Sequence, residues 1–254
     1  MLNRERLPRV DPQPAITFSE QDGIRFLHFG SRWVQGAMRL SDPVSLELDY
    51  VKDMMAWLLL LDPPPKILQL GLGAGSLTRF CRRHCRGSRI TVVEISRVVI
   101  EAAHQWFHLP EPDAGLRIVR ADAGVFVARE QVKDTYGVLQ VDLYDRDAAG
   151  PVLDSEAFYG HCHGALTAPG VMAVNLFGRH ASFARSLARI RAVFDQVITL
   201  EPRDEGNLVV LALKGPRLRV SRRDLLDRAD LVKARYALPA RGWARTVGAS
   251  LALS

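Results

Sequence analysis

The chain has 254 residues, with 34 Lys and Arg against 28 Asp and Glu, a formal net charge of +6. Hydrophobic residues make up 48% and charged residues 24%, which excludes a disordered or collagen-like chain and predicts a globular protein long enough to bury a core. Apolar runs such as Ala56 to Leu61 fall far short of the roughly 20 residues that cross a bilayer, the N-terminus has no apolar stretch of the secretory kind, and three cysteines make no disulfide framework, so a reducing cytosol and no membrane are expected.

Residues 1–14 are polar and contain proline, and read as a loose arm. Residues 15–40 read as a small antiparallel β-hairpin unit, because Ile16–Phe18 and Ile24–Phe29 flank an Asp22-Gly23 turn. A domain over 41–215 opens with a lead-in helix. It starts at Ser41-Asp42-Pro43, passes Tyr50, Met54 and Trp57, and is stopped after Leu61 by Asp62-Pro63-Pro64-Pro65. Short apolar runs follow at Ile67–Leu70, Arg89–Glu94, Leu116–Val119, Val138–Val141, Val171–Val174, Val197–Leu200 and Leu208–Leu213. Helical spacing lies between the early ones, over Leu77–Cys85, Ser96–Phe107 and Ala123–Glu130. That alternation predicts an α/β Rossmann-like fold, with a mostly parallel sheet and an antiparallel strand at its edge.

The tail over 216–254 reads as basic and helical, with a helix at Leu225–Tyr236 broken by Pro239 and Gly242. From Lys214 onward there are 10 basic and 3 acidic residues, a surplus of +7, while the rest of the chain carries 24 basic and 25 acidic residues. A basic tail attracts anionic partners. No aromatic-rich basic stripe accompanies it, so a solvated helix face is the simpler reading and nucleic acid is not an expected partner.

The segment Ile67–Ser76 is a strand, a Gly71-x-Gly73-x-Gly75 loop and a helix start. Such a loop lets backbone approach a ligand closely. Glu94 ends the next run about 20 residues on, where a carboxylate suits ribose hydroxyls. Asp122 and Asp142 follow the next two strands. Ligands of open α/β sheets bind at the carboxyl ends of strands, so these four ends together predict a nucleoside site. Each acid alone equally suits a helix N-cap. Cys81, His84 and Cys85, or His161-Cys162-His163, lack the four-ligand spacing of a structural zinc site, and no metal is expected. No G-x-S-x-G nucleophile elbow is present.

The stretch Val141–Asn175 holds Asp142 and Asp145 three apart, Gly150-Pro151, Ser155-x-x-Phe158-Tyr159 and Pro169-Gly170. With Val93-Glu94-Ile95, and with Gln35 and Tyr50 ahead of the glycine loop, it resembles the spermidine synthase (polyamine aminopropyltransferase) family on the class I S-adenosylmethionine-dependent methyltransferase fold. The resemblance runs from Ile16 to Leu213. It implies aminopropyl transfer from decarboxylated S-adenosylmethionine to a small cationic amine such as putrescine, by a homodimer, with no metal. It further implies a donor site of Gln35, Gly71, Gly73, Gly75, Glu94, Ile95, Asp122 and Ala123, in which Glu94 holds the ribose and Asp122 the adenine amine. Asp142 becomes the catalytic carboxylate and Asp145 both a catalytic acid and the anchor for the amine. Tyr50 and Tyr144 line the acceptor pocket, and Glu47 and Asp147 are candidate outer charges.

The chain departs from the family pattern in three places. Ala74 stands where the G-G-G-D-G loop has an Asp that would grip the donor's ammonium. Tyr50-Val51-Lys52 replaces Tyr-His-Glu, and Asp142-Leu143-Tyr144-Asp145-Arg146 replaces D-S-T/S-D-P. Intact S-adenosylmethionine carries its own carboxylate, which an Asp would repel, so a methyltransferase on the same scaffold stays open. A non-catalytic nucleoside-binding protein is the third class.

Overall fold

The computed structural model describes residues 15–30, 33–143, 153–177, 182–201 and 206–252. The N-terminal unit has three antiparallel strands, β1 (Ile16–Gln21), β2 (Ile24–Phe29) and β3 (Val34–Arg39), in that order. Asp22 and Gly23 both take positive φ, 53° and 73°, as a two-residue primed turn requires. The third strand was not expected. Val34–Arg39 contains a glycine and two polar residues, so it shows neither alternation nor an apolar run.

Seven strands form the main sheet: β4 (Lys66–Leu70), β5 (Arg89–Glu94), β6 (Leu116–Arg120), β7 (Tyr136–Val141), β8 (Leu166–Phe177), β9 (Gln196–Thr199) and β10 (Asn207–Lys214). Their order is β6-β5-β4-β7-β8-β10-β9. β4 pairs in parallel with β5 and β7, and β8 in parallel with β7. The antiparallel strand is β10, which pairs antiparallel with β8 on one side and β9 on the other, one place in from the edge. β7 is buried along its whole length, as expected of a strand covered on both faces. The chain leaves β4 for β5 on one side and returns to β7 on the other, so the strand order reverses between β4 and β7.

The covering helices are α2 (Ser76–His84), α3 (Arg97–Trp106), α4 (Ala123–Val127), α5 (Glu156–Ala165) and α6 (Phe183–Val193). Ser96 and Ser155 cap α3 and α5 through their hydroxyls. The Ser155-x-x-Phe158-Tyr159 stretch serves the fold: Phe158 and Tyr159 are buried, and the Tyr159 hydroxyl donates to Asp154 Oδ1 at 3.0 Å.

The lead-in is much less helical than expected. Only α1 (Asp49–Asp53) is α-helical, followed by a 3-10 turn over Ala56–Leu59. Trp57, Met54, Met55 and Leu58 are fully buried, so packing supports the short-range backbone bonds of this segment, such as that from the Leu58 N–H to the Met55 carbonyl at 3.0 Å. A polar chain beneath it joins the layers. Gln69 and Gln140 face each other in the β4–β7 register, with Gln69 Nε2 donating to Gln140 Oε1 at 2.9 Å. Thr78 Oγ1 donates to Gln69 Oε1 at 2.7 Å, and Gln140 Nε2 donates to the Met54 carbonyl at 3.1 Å. Satisfied buried amides of this kind fix one arrangement of a core.

The tail forms two helices, α7 (Arg222–Tyr236) and α8 (Ala240–Ala252). The break is Ala237, at φ 55°, and Gly242 lies inside α8 instead of ending the helix. Leu225, Ala229, Val232, Trp243 and Val247 are buried, so the tail packs on its own domain. Among the described residues no helix is long and apolar enough to cross a membrane.

The N-terminal sheet sits on the glycine loop. Leu27, Met38, Ala74 and Phe107 form one buried cluster, and Ser76 Oγ donates to the Ala37 carbonyl at 2.9 Å. A Cβ at Gly36 would come within 2.5 Å of Ala74 Cβ and 3.0 Å of its nitrogen. Gly36→Val is therefore expected to cost about 1–3 kcal/mol, the usual cost of overpacking, and to weaken nucleoside binding through the displaced loop. Thermal unfolding beside a nucleoside titration tests this; an unchanged melting temperature would show that the two layers are not in close contact.

Candidate active site at the carboxyl ends of the central strands

The reversal between β4 and β7 opens a crevice, where an α/β sheet binds its ligands. Gly71 follows β4 at φ 93°, and a Cβ there would lie 2.1 Å from the Asp142 carbonyl oxygen. Only glycine allows the chain to turn so close to the neighbouring strand end. Gly73 and Gly75 also take positive φ. Gly73 lies against the Gln35 backbone, where an added Cβ would meet the carbonyl at 3.1 Å. This places Gln35, on β3, over the loop.

Glu94 ends β5 facing the loop. Its Oε2 accepts from the Leu72 N–H at 3.0 Å and its Oε1 from the Ser96 N–H at 2.8 Å. Burial pushes the carboxyl up from its ordinary range, and the N–H groups of Ser96, Leu72 and Ile95 oppose that rise. Ile95 is 43% exposed beside it, where an apolar side chain can cover one face of a flat ring. Asp122 follows β6 and caps α4, its Oδ1 accepting from the Val125 N–H at 2.8 Å. The capping role therefore exists here, and an adenine amine would have to share the carboxylate. Ala123, the next residue, is buried.

Asp142 follows β7 across the crevice. Asn175, near the end of β8, donates from Nδ2 to Asp142 Oδ1 at 2.9 Å, and Asn207 at the start of β10 donates to Asn175 Oδ1 at 3.0 Å. The Tyr50 side chain, from α1, acts on the same carboxylate and favours its ionised form. Desolvation by burial raises the Asp142 carboxyl above its usual range, and the bonds from Asn175 and Tyr50 counter it. Tyr144 and Asp145, with Asp147, lie outside the described residues. Glu47 is no free outer charge: Arg39 grips it with two bonds, Nε to Oε1 at 3.0 Å and Nη2 to Oε2 at 2.7 Å.

Three further residues belong to this region. Asn175 and Asn207 orient Asp142, and an Asn closing one apolar run and another opening the next are their only traces in the sequence. Arg79, 3% exposed, donates from Nη1 to the carbonyls of Ala74 and Phe107, and from Nε to that of Pro43 at 2.6 Å. Burial lowers this guanidinium to about 10. It stays charged at neutral pH and braces the underside of the loop, a role that its place in an Arg-rich helix conceals. Among the described residues no three His, Cys, Asp or Glu side chains cluster as a metal site would require.

A glycine loop and acids at successive strand ends, on a sheet of this order, define a class I methyltransferase-like fold with a crevice at the carboxyl ends of its strands. Human methyltransferase-like protein 13, in complex with SAH, superposes with a TM-score of 0.67 at 25% identity, over 76% of this chain and 94% of that one. A probable spermidine synthase from Corynebacterium glutamicum superposes with a TM-score of 0.67 at 19% identity, over 90% of each chain, which shows the shared fold. The chain belongs to the spermine/spermidine synthase domain family, which matches residues 47–200. A polyamine aminopropyltransferase from Chromobacterium violaceum is 33% identical over 238 residues, 93% of this chain and 90% of that one.

The electrostatics of Asp142 carry a stability consequence. Its folded carboxyl titrates above its unfolded value, so folding favours the protonated form. That contribution is complete below the unfolded value of about 3.9 and is lost as pH rises through the folded one. Asp142→Asn should therefore raise the melting temperature at pH 7 relative to the parent, with the difference fading below about pH 4. A melting temperature at pH 7 that is unchanged or lower would contradict the desolvation of this carboxylate.

Proposed function

We propose that the protein is a polyamine aminopropyltransferase, moving the aminopropyl group of decarboxylated S-adenosylmethionine to an amine such as putrescine. The observation that carries this reading is Asp142, a desolvated carboxylate held by Tyr50 and Asn175 beside the glycine loop, in a chain of the spermine/spermidine synthase domain family. In this reading Gly71, Gly73 and Gly75 pass the donor's backbone-facing edge, Glu94 takes the ribose hydroxyls, and Asp122 takes the adenine amine. Ile95 and Ala123 flank the ring, and Gln35 closes the site from above. Asp145 and Tyr144 are assigned to the acceptor by resemblance alone. Three buried free cysteines suit a reducing compartment.

The chemistry follows from the residue types. A primary amine has a pKa near 10 and arrives as an ammonium, which cannot attack. Asp142 accepts one proton and frees the lone pair. Nitrogen attacks the carbon bonded to the sulfonium sulfur, the N–C bond forms and the C–S bond breaks. The bonding pair stays on sulfur, which leaves as a neutral thioether. Burial raises the proton affinity of Asp142 toward what a base needs, while Tyr50 and Asn175 keep it ionised. Alignment of nitrogen, carbon and sulfur supplies much of the remaining rate.

One observation favours methyl transfer from intact S-adenosylmethionine as the second reading. Ala74 is 2% exposed and packs under Gly36, and its carbonyl is held by the Arg79 guanidinium. The loop thus has a cation beneath it at the position where the family pattern has a carboxylate. Calorimetric titration with the decarboxylated and the intact donor, side by side, separates the two. Tighter binding of the decarboxylated donor, with spermidine formed from putrescine by mass spectrometry, is the expected result. Preference for the intact donor would transfer the assignment to methyl transfer, and binding of neither would remove both readings.

A further inference from the structure

The basic tail returns to the start of the domain at a specific place. Trp243, 2% exposed on α8, donates from Nε1 to Asp53 Oδ1 at 2.6 Å. Asp53, 5% exposed, lies on α1, three residues and nearly one helical turn after Tyr50. From α7, Arg228 donates to the carbonyls of Leu58 at 2.8 Å and Leu61 at 3.0 Å, and pairs with Asp62 at 2.7 Å. The tail therefore holds both ends of the lead-in: α1 through Trp243, and the end of the 3-10 segment through Arg228.

This segment has little rigidity of its own. α1 has five residues and no side-chain N-cap, and a single turn is marginal without tertiary support. Its Tyr50 hydroxyl must nevertheless stay within bonding distance of Asp142. We infer that the C-terminal helix pair is a positioning device for the Tyr50–Asp142 pair, with Trp243 as its pin. Trp243 touches neither substrate nor reacting atoms; it acts through Asp53 and the turn that Asp53 shares with Tyr50. A shift that freed Asp53 would carry Tyr50 with it. The catalytic consequence rests on the role proposed for Asp142, whereas the structural coupling does not.

The groups acting on Asp142 are few. Tyr50 faces it from α1 and Asn175 from β8, and Asn175 is itself held by Asn207 from β10. Tyr50 is the titratable one, and among the described residues no cation or second acid adds to them. Because the Tyr50 bond holds the Asp142 carboxyl down against desolvation, loosening that bond moves its titration upward. A purely structural loss would not.

The test is Trp243→Phe, which keeps a ring in the cavity and removes the N–H. The full-length protein is labelled with carbon-13 aspartate and titrated by NMR without any substrate, with Asp142→Asn assigning the resonance and Tyr50→Phe setting the full shift. The expected result is an upward move of the Asp142 midpoint in Trp243→Phe, toward that of Tyr50→Phe, and little further change when the two are combined. Turnover should fall on the order of tenfold, a part of the roughly 10²–10⁴ that a positioned base contributes, and the acid limb of its pH profile should move up with donor affinity unchanged. A lower melting temperature with the Asp142 midpoint in its parental place would overturn the inference. Should Trp243→Phe not fold, Arg228→Lys, which keeps the charge and loses the fork, is expected to shift the midpoint in the same direction; no shift there overturns it equally. Since the NMR titration needs no reaction, absence of turnover in the parent would refute the proposed function and leave this result standing.

Discussion

Most of the site depends on one close approach, that of Gly71 to the backbone of Asp142. β4 and β7 are neighbours in a parallel sheet, and the Asp142 N–H already donates to the Leu70 carbonyl at 2.9 Å. The carbonyl on the other side of Asp142 fills the space where a side chain at residue 71 would begin. The chain leaving β4 must therefore turn sharply, with the Gly71 N–H donating to the Val93 carbonyl at 2.9 Å and the Leu72 N–H reaching Glu94. The same contact fixes how far the Asp142 carboxylate stands from the loop. The glycine loop on one side and the Asp142 carboxylate on the other are held at a separation set by strand spacing rather than by flexible side chains.

Around that contact the protein uses neutral polar groups as braces and keeps most charges in pairs. Gln69, Gln140 and Thr78 link two strands, a helix and the lead-in without burying an ion. Asn175 and Asn207 relay orientation to Asp142 from two further strands. Amides suit this task because they donate and accept at once, and their burial costs much less than that of an ion once they are bonded. Glu47 is neutralised by Arg39, and Asp49 is paired with Lys52 at 2.8 Å. Among the described acids at the strand ends, Glu94 and Asp142 are the ones that burial raises, and both face the crevice.

The parallel strands and the glycine loop were legible in the sequence because each leaves a pattern of its own: an apolar run for a strand covered on both faces, and spaced glycines where backbone crowds backbone. The acids at the strand ends were legible for the same reason, since their positions follow from the strands. What escaped detection depends on contacts between distant residues. β3 joins its sheet through pairing with β2, and Gly36 is small because Ala74 lies against it. Trp57 and its neighbours suggested a long helix, yet Pro64 and Gly137 pack together just beyond them and the core accepts a 3-10 turn instead. Asn175 and Asp53 acquire meaning through Asp142 and Trp243, 33 and 190 residues away. The overall charge of the tail suggested a solvated helix face, while its buried Trp243 and Val247 show an element that also packs into the core.

The reach of that tail also bears on how the chain is made. Asp53 emerges from the ribosome early, and its bond to Trp243 closes a loop of 190 residues. Until the last helix is released, the lead-in has a buried face without its cover and a carboxylate without this donor. Contacts so distant in sequence slow the final step of folding, so the sheet and its glycine loop can assemble during synthesis while the acid-bearing side of the crevice waits for α8. Truncation ahead of Trp243 would then leave α1 without this bond while the glycine loop keeps its contacts with β3 and Asp142.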